Sequence, residues 1–104
     1  MPNNIAFLQN WFKKQCNGDW EHVFGIHIET LDNPGWAVDI DLTDTSLQGV
    51  EMEFIKHERS EEDWIHCRIE RDAEKQTCKF LGRGGHNNLE EILEVFTDLS
   101  KNAS

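Results

Sequence analysis

The segment "WAVDIDL", residues 36–42, alternates without a break. In an extended chain Trp36, Val38, Ile40 and Leu42 share one face, and Ala37, Asp39, Asp41 and then Thr43 share the other. A slip of one residue would bury both aspartates, so this strand has one permitted register and needs an apolar layer on one side only.

The neighbouring segments supply partners for it. "LDNPG" upstream is a turn, because Pro34 and Gly35 cannot both continue a central strand and Asp32 and Asn33 favour tight turns. From Trp20 to Thr30, His22, Phe24, Ile26 and Ile28 alternate with Glu21, Val23, His27 and Glu29, which predicts a strand that returns as a hairpin. Further strands are predicted near 50–58, where Val50, Met52 and Phe54 alternate with Glu51, Glu53 and Ile55, near 63–71 and near 75–81. The polar stretches "ERSEED" and "RDAEKQ" read as their hairpin loops.

Helical spacing flanks this block on both sides. Ile5, Leu8, Trp11 and Phe12 form an amphipathic stripe over about residues 4–15, with Asn3 or Asn4 as its cap and "NGD" as its end. "GRGGHNN" reads as a glycine-rich connection, after which Leu89, Ile92, Leu93, Phe96 and Leu99 make a second stripe, with Asn88 and Glu91 as a capping box. The expectation is one α+β domain over residues 1–104: an antiparallel sheet of about five strands, a meander, with both helices packed on one face through Leu8, Trp11, Phe12, Ile92, Leu93 and Phe96. The other face stays in water.

Charge restricts what such a domain binds. The net charge is −10, and residues 19–63 account for −11, against +2 for residues 1–18 and −1 for residues 64–104. That field repels nucleic acid and anionic membrane and attracts a basic protein surface. No stretch is long enough to span a bilayer, and "MPNNIAFLQNWFKKQ" lacks the basic region, apolar run and cleavage site of a secretory leader, so the cytoplasm is the expected location. Cys16, Cys67 and Cys78 are odd in number and far apart, which fits reduced structural thiols.

Three constellations invite a reading as chemistry. Asp19, Glu21 and His22 contain the groups of an acid–base or metal-dependent hydrolase site, but neighbours on a strand point to opposite faces, and no HExxH helix is present. "CKFLGR" has the cysteine-to-arginine spacing of a sulfurtransferase loop, with Cys78 as nucleophile, yet "TCKFL" reads as strand. "GRGG" at 82–85 precedes a helix as a phosphate loop would, with Arg83 and His86 beside it, but lacks the full glycine spacing and the lysine. No catalytic, cofactor or metal residue is therefore expected. Trp11 and Trp36 lie on apolar stripes, whereas Trp64 falls opposite Ile65, Cys67 and Ile69, exposed beside His66.

The blocks "LQNWFKKQCNGDWEHVFGIHIETLDNPGWAVDIDL" and "GRGG…NLEEILEVF" closely resemble the immunity protein 53 family of bacterial polymorphic toxin systems. The resemblance lies in the LQ-W helix, the GDWEH segment, the TLDNPGW turn and the carboxy-terminal glycines and helix, and covers nearly the whole chain. It implies a cytosolic antidote that binds a cognate toxin domain and blocks it, with no catalytic residues. A nuclease fits as the toxin, because an acidic face can occupy a cleft built for phosphates. The expected partner-binding residues are Glu21, Glu29, Asp39, Asp41, Glu51, Glu53, Trp64 and His66. Oligomeric state is left open.

Overall fold

A computed structural model describes residues 3–103. The alternating segment forms β2 (Gly35–Asp41), paired antiparallel with β1 (Ile26–Leu31) in the register Ile26–Ile40, Ile28–Val38 and Thr30–Trp36. β3 (Ile55–Glu58), β4 (Trp64–Asp72) and β5 (Thr77–Gly85) complete a five-stranded sheet in the order β1-β2-β5-β4-β3, with every neighbouring pair antiparallel. Consecutive strands pair within β1–β2 and within β3–β4–β5. The connection over residues 42–54 carries the chain to the far edge, so β5 returns beside β2 and forms the centre of the sheet.

That connection is held by hydrogen bonds rather than by regular structure. Thr43 Oγ1 accepts the Cys78 amide at 2.9 Å, and Thr43 O accepts the Trp20 indole N–H at 2.9 Å. The Arg71 guanidinium donates to Gln48 O and Val50 O.

α1 (Asn4–Gln15) and α3 (Leu89–Asn102) pack on one face of the sheet. Asn3 caps α1, its side chain accepting the Ala6 amide at 2.9 Å. Val38, Ile40, Cys67, Phe80, Ile92, Leu93 and Phe96 form a sealed core, and Trp11 and Phe80 meet Phe96 with ring centroids 5.1 and 5.5 Å away. Phe12, expected inside, is 36% exposed and rests edge-on against Trp20. No helix among the described residues is long and apolar enough to cross a membrane.

Local structure differs from the expectation in three places. Trp20–Val23 is a short helix, α2, not the start of a strand. Asn17 Oδ1 accepts the amides of Asp19 and Trp20, while the Glu21 carboxylate reaches back to those of Asn17 and Gly18, and these bonds close a turn that alternation alone does not reveal. Residues 82–85 are part of β5, packed too closely for side chains at two points: a Cβ on Gly82 would overlap Ile92 Cγ2 of α3, and one on Gly85 would overlap Glu62 O of the loop before β4. The strand expected near 50–58 is regular only over Ile55–Glu58. Ile55 pairs with Cys67 on the helix side, and Phe54 turns to the opposite face, 57% exposed.

The open face of the sheet as candidate functional site

The strand registers decide which side chains meet on the face away from the helices. Across the middle of the sheet, Glu29 is opposite Ala37, Ala37 opposite Arg83, Arg83 opposite His66 and His66 opposite Lys56. The adjacent row runs His27, Asp39, Leu81 and Arg68. Arg83 donates to Asp39 Oδ1 at 2.7 Å, and His66 Nε2 lies 3.1 Å from Glu58 Oε1. The neighbouring His66 and Lys56 hold the Glu58 carboxyl below its ordinary range.

Toward β3 this polar surface becomes aromatic. His66 lies between Trp64 and Phe54, with ring centroids 5.0 and 5.9 Å away. Phe54, His66, Arg68 and Arg83 surround a shallow depression of about 160 Å³ floored by Leu81. Beside it, the loop over residues 59–63 is tied to the start of α3. Arg59 bridges Asp63 at 2.8 Å and Glu91 at 2.6 Å, and Asn88 Nδ2 donates to both carboxylates. Asn88 thus bonds the Glu91 side chain rather than closing the expected capping box with a backbone amide. Glu61 and Glu62 extend into solvent at the tip.

The residues expected to bind a partner separate into groups. Trp64 and His66 come together, half-buried, on the open face. Glu29 and Asp39 share that face at the β1–β2 end, Glu29 exposed and Asp39 paired with Arg83. Asp41 faces the same side but is only 9% exposed: Oδ2 accepts the Gly25 amide at 2.9 Å, and Lys79 stands 4.0 Å from Oδ1. Glu51 and Glu53 are exposed on the irregular approach to β3. Glu21 stands apart on α2, bonded to backbone amides. Phe54, Arg68 and Leu81 enter the site from outside the expected set, and Arg83 reaches it from the glycine-rich segment. The phase of Lys56, Glu58, His66 and Arg68, polar residues two apart on paired strands, was the signal for this face.

Cys67 and Cys78 are buried in the core, whereas Cys16 is partly accessible. Cys78 is 3% exposed within central β5, not on a loop, and desolvation pushes its thiol up, away from the reactive thiolate, with Arg71 opposing weakly. Burial raises the Cys67 thiol to about 12. Among the described residues, no three His, Cys, Asp or Glu side chains converge as a metal site would need.

A sheet covered by helices on one side, with arginine, histidine and aromatic side chains on the other, defines a small α+β protein with one sheet face left open. Residues 5–101 match the family model of Immunity protein 53, and the chain belongs to that family. No curated protein and no solved structure matches it. Membership assigns an immunity role, which implies binding of a cognate toxin protein and suggests no turnover of a substrate.

Proposed function

We propose that the chain neutralises its toxin by docking across the open sheet face, centred on Phe54, Trp64 and His66, with Glu51, Glu53, Glu58, Glu61 and Glu62 as an acidic rim. The observation that carries this reading is the cluster of exposed Phe54 with half-buried Trp64 and His66, beside Arg68 and Arg83 on a face that the helices leave uncovered. Tryptophan and arginine are the residue types that dominate interface energetics, and a rigid strand holds them more accurately than a loop does. Asp39 and Glu29 extend the contact toward β1, whereas Glu21 and Asp41 serve the fold. A toxin with a basic, phosphate-binding cleft fits the rim, which makes a nuclease the favoured class. The chain acts in the bacterial cytoplasm, where such a toxin would reach nucleic acid.

The test uses the cognate toxin domain. Phe54→Ala and Trp64→Ala should each weaken binding at least tenfold in calorimetry, while Asp98→Ala, on α3, should leave it unchanged. Folded variants that bind like the wild type would move the interface off this face. A toxin that cleaves neither DNA nor RNA would remove the nuclease assignment and leave the docking face standing.

A further inference from the structure

The two edges of the sheet are protected very differently. β3 is four residues long and carries Lys56 and Glu58, the short charged edge that soluble proteins use against strand addition. β1, at the other edge, is six residues, "IHIETL", without lysine, proline or glycine, and its register with β2 runs from Ile26 to Leu31 without a bulge. Residues 27–30 are exposed, and Ile28 retains 39% of its surface.

The hydrogen-bond phase shows which backbone groups point outward. The Asp41 amide donates to Gly25 O at 3.0 Å and the Gly25 amide turns to the Asp41 carboxylate, so Gly25 and Asp41 mark the hydrogen-bonded phase of the ladder. Alternation along an antiparallel ladder directs the bonds of His27, Glu29 and Leu31 toward β2, and turns the N–H and C=O groups of Ile26, Ile28 and Thr30 away from it.

We propose that β1 pairs antiparallel with β1 of a second copy of this chain, about a twofold axis perpendicular to the sheet at Ile28. In that register Ile26 meets Thr30 of the other copy, Ile28 meets its own equivalent, and all six outward backbone groups are satisfied in each copy. His27 of one copy then faces Glu29 of the other on the open side, twice, as donor and carboxylate. Centring on His27 or Glu29 instead sets two histidines or two carboxylates against each other and leaves outward groups unpaired. A twofold contact must be self-complementary, and the Ile28 register satisfies that condition within the strand.

The surface beside the edge provides the additional area. A groove of about 450 Å³, lined in part by Leu8, Phe12, Phe24 and Ile26, opens next to the start of β1. Ile5 and Phe12, seven residues apart on α1, are 46% and 36% exposed. The axis keeps both helical layers on one side, so these apolar flanks approach each other and enlarge the contact toward the roughly 1,000 Å² that a specific interface needs.

Sedimentation equilibrium of the full chain tests this over a range of concentration and salt. The wild type should reach twice the chain mass, more completely at high salt, because each copy carries a net charge of −10. Ile28→Lys sets two lysines against each other at the axis, on a residue already part-exposed, and should give a monomer with unchanged circular dichroism. His27→Glu should also weaken the dimer, and His27→Glu with Glu29→Lys should restore it by reversing the cross-strand charges. A wild type that stays monomeric at high concentration and high salt overturns the proposal, as does a dimer indifferent to Ile28→Lys. A monomeric wild type whose toxin binding is abolished by Ile28→Lys would also overturn it and assign the edge to a toxin strand.

Discussion

Gly82 of β5 lies directly beneath Ile92 of α3, so close that a methyl group on Gly82 would overlap Ile92 Cγ2. The helix reaches the sheet there because the central strand has no side chain to hold it off. Gly82→Ala should therefore destabilise the protein by about 1–3 kcal/mol, the usual cost of overpacking a dense core. Urea unfolding checks this. An unchanged midpoint would mean that α3 shifts freely, contrary to its packing against Phe80 through Phe96.

The same contact separates what could be read from the sequence from what could not. The Trp36–Leu42 alternation and the two apolar helical stripes report burial within one element, and the sheet, its antiparallel pairing and the helical layer followed from them. Gly82, Gly84 and Gly85 looked like a break because the groups that require their smallness, Ile92 and the Glu62 carbonyl, lie on the next helix and on a distant loop. Trp20–Val23 looked like a strand because its helical turn is set by the side chains of Asn17 and Glu21, not by apolar period. Trp64 and His66 could be placed on the wet face by phase alone. Phe54 could not, because the irregular residues before Ile55 left that phase undetermined.

Neighbouring acids on one face have different roles. Asp41→Ala leaves the Gly25 amide without its carboxylate partner and should cost about 1.5–3 kcal/mol, typical of a hydrogen bond to a charged group. Glu29→Ala, exposed on the same face, should cost less than about 0.5 kcal/mol. Chemical denaturation of the pair measures the difference. Equal stability of the two variants would contradict a structural role for Asp41.

The loop after β3 should be acid-sensitive. Hydrogen bonds from Arg59, and then from Asn88, hold the Asp63 carboxyl at about 2, below its ordinary 3.8. A depressed carboxyl contributes stability that is complete above its unfolded value and is lost as pH falls through the folded one, here between about 3.8 and 2. A carboxyl-carbon NMR titration should find the low midpoint in the wild type and a rise toward 3.8 in Arg59→Ala. No rise would detach the shift from the Arg59 bridge.

The thiols should differ in reactivity. Cys16 is partly accessible, whereas Cys67 and Cys78 are buried with their thiols pushed up by desolvation. Native protein should expose one thiol to a disulfide reagent at pH 8, and denatured protein all three. Because the folded Cys67 thiol is raised from 9.0 to about 12, its contribution to stability is present below pH 9 and declines as pH rises through that window. Cys78→Ala should keep toxin protection, and sulfur transfer from thiosulfate to cyanide by the wild type would contradict the burial of that thiol.

Rim charges act on encounter more than on the bound state, and Glu61 and Glu62 isolate that effect because both are exposed at the tip of the 59–63 loop. Their field accelerates approach of a basic toxin as long as it reaches past the first layers of water and ions. The screening length falls from about 10 Å at 0.1 M salt to about 3 Å at 1 M, so the acceleration should fade across that range. Glu61→Lys with Glu62→Lys should slow association at low salt by about tenfold, leave dissociation nearly unchanged and flatten the salt dependence. Stopped-flow association at several salt concentrations separates these terms, with thermal stability as the control for folding. Because Trp64 and His66 remain intact in this variant, a dissociation rate that rises instead would place the loop inside the buried contact, and association at the wild-type rate would place the toxin on another face.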